Sequence, residues 1–179
     1  INAVVAKIQP EDADWDAADY DYNVVRWSSE PDGGLLGIGP SVSNPLTGEM
    51  ISADVVNKLL AVKIGYNYRK LYGYTEDNDP LMQYITNLTL HEVGHVLGLR
   101  HNFRGSYLYS PEEIHNKEIT GNTLMNSVMD YDPINVAPEG TKQGIFFSTE
   151  PGVYDKWAIK FGYTPNLSDE ERAELLRES

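Results

Sequence analysis

The 179-residue sequence contains no cysteine. No disulfide framework can therefore stabilise the fold, and no thiol can act as a nucleophile or a metal ligand. No apolar run approaches the roughly 20 residues that a membrane-spanning helix needs. Basic residues are also few, with 14 lysines and arginines against 27 acidic residues and a formal net charge of −13. This balance argues against binding to a phosphate backbone, so we expect no nucleic-acid partner.

The acidic residues are concentrated in positions 11–32, where Arg26 is the only basic residue. We interpret this segment as a solvated acidic surface. A calcium site is the alternative, but no spacing matches a calcium loop such as the EF-hand pattern. The sequence therefore predicts no calcium site.

Histidine is scarce as well, but three of the four histidines lie in residues 91–101, which read HEVGHVLGLRH. In a helix, His91 and His95 would lie one turn apart on the same face, where both imidazoles can reach one metal ion. Gly98 can adopt the left-handed conformation that ends a helix, and the chain could then return His101 as a third ligand. Three protein ligands and one open position are typical of a catalytic zinc rather than a structural one.

Glu92 follows the first of these histidines and lies too near its backbone to bind the same ion comfortably. It is placed instead to take a proton from a metal-bound water, as a general base in hydrolysis does. A chance His-Glu-x-x-His on a helix surface is common, but the added glycine and third histidine argue against chance. The fourth histidine, His115, has no partner at such a spacing, and we predict an ordinary surface residue.

A second motif, Ser-Val-Met-Asp-Tyr, occupies residues 127–131. The extended histidine motif followed by Ser-x-Met-x-Tyr resembles the metzincin clan of zinc endopeptidases. The resemblance implies that Met129 lies in a tight turn beneath the metal and supports the three imidazoles without binding the ion. It also implies that Tyr131 lies near the zinc, where it can hydrogen-bond the developing oxyanion or take a further metal position without substrate. The alternative is a tyrosine packed under the cleft wall, with its hydroxyl satisfied by backbone.

Other segments resemble one bacterial branch, the large zinc-dependent metalloproteases whose catalytic part is described as a Met-zincin domain. The similarity extends over about residues 1–163. The matching segments are residues 22–27, 39–42, 44–50, 53–54, 101–103 and 154–163. Asn102 stands where astacins carry glutamate, which argues against that branch. The likeness favours an exported protein, and the start at Ile1 without a secretory signal suggests a domain excised from a longer chain.

The predicted fold is α+β and metzincin-like, with a twisted mixed sheet of four or five strands, two long helices and an irregular C-terminal part. The zinc cleft would lie between the edge strand and the segment after residue 129. Strands are predicted over residues 3–8, 22–27, 35–42 (the edge strand) and 50–55.

Helices are predicted over residues 57–71, with Leu59, Leu60, Ile64 and Tyr68 facing inward, and over residues 80–97. Asp79 as cap and Pro80 at the first position mark the start of the second helix. Further helices are expected near residues 111–116, over 152–162 and after Ser168. We expect residues 1–163 to form the catalytic domain and residues 164–179 a helical tail.

The sequence therefore predicts a zinc-dependent endopeptidase that binds one catalytic zinc ion and hydrolyses internal bonds of a polypeptide substrate. Two alternatives stay open. One is a catalytically silent module that binds peptides or partners and retains a zinc site; the intact Glu92 and histidines argue against it. The other is a zinc amidase that acts on non-protein substrates, and an edge strand for an extended main chain would favour proteolysis over it.

Overall fold

The computed structural model describes residues 5–30 and 35–178. It has the predicted α+β architecture, with a mixed four-stranded sheet beside two long helices and a largely irregular segment from residue 97 to residue 152. The elements are β1 (Val24–Ser28), β2 (Gly37–Ile38), β3 (Ser41–Ser43), β4 (Met50–Lys58), α1 (Leu59–Tyr72), α2 (Pro80–Val96), a 3₁₀ turn (Gly105–Tyr107), α3 (Lys117–Thr120), α4 (Val153–Tyr163) and α5 (Asp169–Arg177).

Strand β4 is the centre of the sheet. It pairs in parallel with β1 on one side and antiparallel with β2 and β3 on the other. Its buried Val55 and Val56 are β-branched residues that suit a strand covered by neighbours. The predicted edge strand over residues 35–42 is present as two short strands, because Pro40 has no N–H to donate and interrupts the ladder. The Pro40 carbonyl still accepts from the Asp54 N–H at 3.1 Å.

The strand predicted over residues 3–8 is wrong in its described part. Residues 3 and 4 lie outside the described residues, and residues 5–8 form no strand. Val5 and Ile8 are 72% and 96% exposed. Their β propensity has no effect here because a strand is stable only when its N–H and C=O groups pair with a neighbour.

The prediction placed the boundary between β4 and α1 too early. The strand continues to Lys58 instead of ending at residue 55, and the helix begins at Leu59 instead of residue 57. Asn57 stays in the strand because its side chain is buried and donates to the Thr89 hydroxyl at 2.9 Å. Asn57 is thus held in the strand by a residue of α2, and the sequence around Asn57 does not reveal this partner.

The inward-facing residues of α1 also differ from the prediction. Leu59 and Leu60 are 49% and 42% exposed, so the prediction that they face inward is wrong. The buried positions are Ala61 and Gly65. A Cβ on Gly65 would lie 2.7 Å from Leu81 Cδ1. Helices α1 and α2 therefore approach each other at the small residues of α1, and Leu59 and Leu60 lie outside this contact.

Helix α2 begins as predicted. The Asp79 side chain accepts from the Leu81 N–H at 3.0 Å, and Pro80 occupies the first turn. Asp79 also forms an ion pair with Arg69 of α1, which ties the start of α2 to the end of the preceding helix.

The helix predicted near residues 111–116 is wrong. Ser110 closes only one turn, in which its carbonyl accepts from the Glu113 and Ile114 N–H groups. The helix in this region begins later, at Lys117, where the Asn116 side chain caps it by accepting from the Glu118 N–H at 2.9 Å. Proline at residue 111 is compatible with a helix that begins there, but the side chain that caps a helix in this region is Asn116. The helix therefore begins after Asn116 and not after Ser110.

The last two helices form where predicted. The Ser168 and Glu171 capping box begins α5, with hydrogen bonds of 3.2 and 2.8 Å. Helix α5 packs on α4, because Leu175 is buried and its carbonyl accepts from the Trp157 indole N–H at 2.6 Å. Within the described residues, none of the helices is both long and apolar enough to cross a membrane.

Candidate metal centre

The three histidines of the sequence motif come together in space. His101 Nε2 lies 3.2 Å from His91 Nε2 and 3.1 Å from His95 Nε2. The three rings can offer nitrogens that all lie within 4.8 Å of one another. Three nitrogens bound to a tetrahedral zinc at about 2.0–2.1 Å would lie roughly 3.3 Å apart, so the observed spacing fits that ion.

The hydrogen bonds of the other ring nitrogens decide which nitrogens are free. His91 Nδ1 lies 2.7 Å from the Val128 carbonyl, and His95 Nδ1 lies 3.1 Å from the Leu99 carbonyl. A carbonyl can only accept, so each Nδ1 carries the proton of its neutral ring, and each Nε2 presents a lone pair. Both of these Nε2 atoms lie within 3.2 Å of His101 Nε2, a spacing that suits a shared cation.

The surroundings favour neutral rings. Burial lowers the pKa of His91, and the neighbouring His95 and His101 lower it further, although hydrogen bonding to the Val128 carbonyl opposes them. Burial also lowers the pKa of His101, with smaller contributions of the same sign from His95 and Arg100. A neutral imidazole is the form that binds metal, so these environments prepare the rings for a ligand role.

The chain turns sharply between the second and third histidines. His91 and His95 lie in the last two turns of α2, which ends at Val96. Gly98 has a φ of +87°, so the predicted left-handed conformation is confirmed. The following segment is anchored by the Asn102 N–H, which donates to the Met129 carbonyl at 3.0 Å.

Met129 lies under α2 and is fully buried. A Cβ on Gly94 would lie only 2.3 Å from Met129 Sδ, so the sulfur occupies space that any larger residue at position 94 would fill. Gly94 lies between His91 and His95 on the helix, and Met129 therefore supports the segment that carries both rings. The support of the bound metal site that the resemblance implies for Met129 stays a prediction.

Glu92 is buried at the wall of the same cleft. Burial raises the pKa of its carboxyl, while His95 and a hydrogen bond from the Gly39 N–H lower it. Two glycines allow the sheet edge to lie against this residue. A Cβ on Gly37 would lie 2.8 Å from Glu92 Oε1, and one on Gly39 would lie 2.4 Å from the Glu92 carbonyl oxygen.

Tyr131 lies at the mouth of the site, with 63% of its surface exposed. Its hydroxyl is 2.9 Å from His101 Nε2, and its ring lies over His91 at a centroid distance of 5.3 Å and an angle of 22°. This hydroxyl contacts a histidine instead of backbone, so the packing alternative considered for Tyr131 does not describe its position.

An open cleft of about 540 Å³ contains these side chains. It lies between the sheet edge and the segment after Met129, as predicted. Three separate segments line it: residues 35–40, one face of α2 with His101 beyond it, and residues 130–132.

The cleft wall contains a carboxyl that sequence reasoning missed. Asp132 Oδ2 accepts from Asn87 Nδ2 at 3.1 Å and from the Ser148 hydroxyl at 3.0 Å. Its Oδ1 is shielded from solvent and has no hydrogen-bond partner. Burial, with a smaller contribution from Asp130, raises the pKa of Asp132 to about 7, against the hydrogen bonds from Ser148 and Asn87. No sequence motif signals this residue, because its partners are 45 and 16 positions away.

The fourth histidine does not join the site. The prediction that His115 is an ordinary surface residue is wrong, because the side chain is half-buried and its Nδ1 is shielded without a hydrogen-bond partner. Gly144 allows the backbones to meet there, since a Cβ would lie 2.6 Å from the His115 carbonyl oxygen. The packing of this loop is set by contacts that lie far apart in sequence.

The mixed sheet, the histidine triad at the end of a long helix and the buried methionine turn are those of a metzincin-type domain. A family model described as Met-zincin matches residues 74–178, more than half of the chain. The chain belongs to this family, and the matched range contains the triad, the methionine turn and the last two helices. No curated protein and no solved structure matches the chain.

Proposed function

We propose that this chain is a zinc-dependent endopeptidase that hydrolyses internal peptide bonds. The observation that carries the proposal is the convergence of three histidine nitrogens, with His101 Nε2 within 3.2 Å of the Nε2 atoms of both His91 and His95, in a cleft that also holds Glu92. His91, His95 and His101 would hold the ion. When bound, zinc would lower the pKa of a coordinated water toward about 7 and polarise the carbonyl of the scissile bond.

Glu92 is the proposed general base. Its carboxylate accepts the proton of the attacking water and later delivers that proton to the leaving amine. The Gly39 N–H lowers the pKa of this carboxyl and so favours the charged form that accepts a proton. The glycines at positions 37 and 39 bring the sheet edge close to the proposed base, so substrate bound along that edge would lie beside it.

Tyr131 is the proposed oxyanion donor. Its hydroxyl lies 2.9 Å from a proposed zinc ligand, on the open side of the cleft where a carbonyl oxygen would develop charge. The phenol O–H is a hydrogen-bond donor and can donate to that oxygen.

Strand β2 is the proposed track for the substrate main chain. The Leu36 carbonyl accepts from Lys58 and the Pro40 carbonyl from Asp54, both of β4. Alternate residues of a strand direct their polar groups to opposite sides, so the N–H and C=O of Gly37 are directed away from β4. Among the described residues no strand pairs with this edge, and an extended peptide could do so.

The test combines zinc analysis with cleavage of a peptide library. We expect one zinc per chain, cleavage at internal bonds, loss of cleavage with a chelator and recovery when zinc is returned. His101→Ala should lose most of the metal, whereas His115→Ala, which changes the histidine outside the triad, should keep it. A zinc-loaded chain that binds peptides without cleaving any of them would contradict the proposal and favour a silent binding module. Hydrolysis limited to non-peptide amides would favour an amidase.

A further inference from the structure

Asp132 lines the cleft with a carboxyl that has no cationic partner among the described residues. Only one of its two carboxyl oxygens is hydrogen-bonded, and the other is shielded and unpartnered. In the part of the chain that the structure describes, no lysine or arginine forms an ion pair with it. A buried carboxylate without a counter-cation is unfavourable, and a cation brought by a ligand would relieve this.

The other carboxylate of this segment has its partners within the protein. Asp130 accepts from the Tyr131 N–H at 2.8 Å and from the Ser106 N–H at 3.0 Å, one on each oxygen. Asp132 thus differs from its neighbour, because one of its oxygens has no hydrogen-bond partner. Among the described residues that line the cleft, none is a lysine or an arginine.

Asp132 is hydrogen-bonded to α2 about one turn before the first histidine of the triad. Its partner Asn87 precedes His91 by four residues on α2, which is about one helical turn or roughly 6 Å along the axis. This end of the cleft also has apolar walls. Leu88 lies against Gly37 of the sheet edge, with Cδ1 3.1 Å from a Cβ built there, and Leu36 and Tyr84 line the same space.

A side chain with an apolar stem and a cationic end matches this arrangement. Lysine and arginine bury their methylene groups against apolar surface while the charged group meets a polar partner. A leucine or phenylalanine side chain would fill the apolar part but would cover the carboxyl without giving it a partner, which costs free energy.

We propose that Asp132 selects peptide substrates with lysine or arginine at a position that flanks the cleaved bond, and that it acts as counter-ion to that side chain. The proposal rests on the proposed function, because it names the substrate class of the same cleft. Asp132 is a specificity residue in this account and takes no part in the proton transfers assigned to Glu92.

The test varies the side chain and the charge separately. Peptides carry lysine, arginine, norleucine or glutamate at each position that flanks the cleaved bond, and kcat/KM is measured for each. The variant Asp132→Asn keeps an oxygen to accept from Asn87 and Ser148 but removes the charge. Glu112→Gln removes one charge from an exposed residue outside the cleft lining and serves as the matched control.

We expect the parent protein to prefer lysine or arginine over norleucine by about tenfold or more at one position, the range expected for one charged hydrogen bond. Asp132→Asn should lose this preference while it still cleaves the norleucine peptide, and Glu112→Gln should retain the preference. Equal cleavage of lysine and norleucine peptides by the parent would overturn the proposal, even if the variant fails to fold. A preference that survives in Asp132→Asn would also overturn it.

A binding measurement separates this inference from the proposed function. Peptide hydroxamates that differ only in a lysine, norleucine or glutamate side chain are titrated into the zinc-loaded protein. If no peptide is cleaved, the proposed function fails, but tighter binding of the lysine compound to the parent than to Asp132→Asn would still support charge selection. Equal binding of the lysine and norleucine compounds would overturn it.

Discussion

Gly94 determines how closely α2 can approach the methionine turn. It lies between two histidines of the triad, and Met129 Sδ fills the space beside its backbone, 2.3 Å from where a Cβ would be. Met129 is fully buried and cannot move outward into solvent. The helical turns that carry the histidines can therefore pack this closely on Met129 only because residue 94 has no side chain.

We predict that Gly94→Ala destabilises the fold although alanine favours helices. The added carbon would collide with a buried sulfur, and overpacking of this kind typically costs about 1–3 kcal/mol. Zinc affinity should fall as well, because the turns that carry His91 and His95 must shift. The measurements are urea unfolding of the metal-free protein and zinc competition with a chelator.

Gly162→Ala in α4 is the matched control. A Cβ at that position would meet nothing within 4 Å, so the substitution should be neutral or stabilising by up to about 1 kcal/mol. If Gly94→Ala were as stable as Gly162→Ala, the proposed contact with Met129 would not limit the packing.

The hydroxyl of Tyr131 provides a second prediction at the scale of one residue. Tyr131→Phe should lower kcat by about 10²–10³, the usual effect of losing one oxyanion donor, with little change in KM or zinc affinity. Tyr107→Phe, which removes the hydroxyl of an exposed tyrosine outside the cleft lining, is the control. Turnover of Tyr131→Phe at the parental rate would show that this hydroxyl does not stabilise the oxyanion.

Among the elements, α4 holds the methionine turn in place through one buried carboxylate. Asp155 in its first turn accepts from the Ser127 hydroxyl at 2.6 Å, the Val128 N–H at 2.8 Å and the Gly152 N–H at 2.9 Å. The Val128 carbonyl in turn accepts from His91 Nδ1 at 2.7 Å. A helix some 60 residues after the triad thus orients the first histidine through the turn.

We predict that Asp155→Ala destabilises the protein by on the order of 3 kcal/mol or more, because three buried donors lose their acceptor. Zinc affinity should fall about 10–100-fold, as for other groups that orient a metal ligand. Asp169→Ala removes an exposed aspartate from the first turn of α5 and should cost about 1 kcal/mol or less. Unchanged zinc affinity in a folded Asp155→Ala protein would contradict the link between α4 and the triad.

Helices were predictable from the sequence where their start signals are local. Asp79 with Pro80 and the Ser168 capping box both act within three or four residues, and both helices begin there. The short strands were less predictable, because a strand requires a partner that the local pattern does not name. Residues 5–8 have β-forming side chains but no partner strand, whereas Asn57 is held in β4 by Thr89.

At the scale of the whole molecule, the cleft combines segments that are far apart in sequence. The triad could be predicted because its three histidines lie within eleven residues and a glycine turn brings them together. Asp132 could not, because its environment depends on Asn87 and Ser148, which only the tertiary fold brings to it. The same holds for the contact of Gly39 with Glu92, which joins the sheet to the helix.

The burial of Asp132 should also make the stability of the whole protein depend on pH. Its pKa is about 7 in the fold and near 3.8 ordinarily, so the folded state binds this proton more tightly than the unfolded chain. The stabilisation is therefore complete below about pH 4 and is lost as the pH rises through about 7. Between pH 5 and pH 8, the free energy of unfolding of the metal-free parent should fall by about 2–3 kcal/mol relative to that of metal-free Asp132→Asn.

Urea unfolding of both proteins between pH 5 and pH 8 measures this difference in the free energy of unfolding. Both proteins contain the triad histidines, so the contribution of those histidines to the pH dependence largely cancels in the difference. Parallel stability curves for the two proteins would show that Asp132 is not perturbed by burial.

The most direct test of the account is the rate of peptide hydrolysis by Glu92→Gln at matched zinc content. Glu92 lies beside the triad but outside the proposed ligand set, so the variant should bind one zinc per chain as the parent does. Without a general base, hydrolysis should fall by about 10²–10⁴-fold or more. A folded, zinc-loaded Glu92→Gln protein that cleaves peptides at the parental rate would contradict the account.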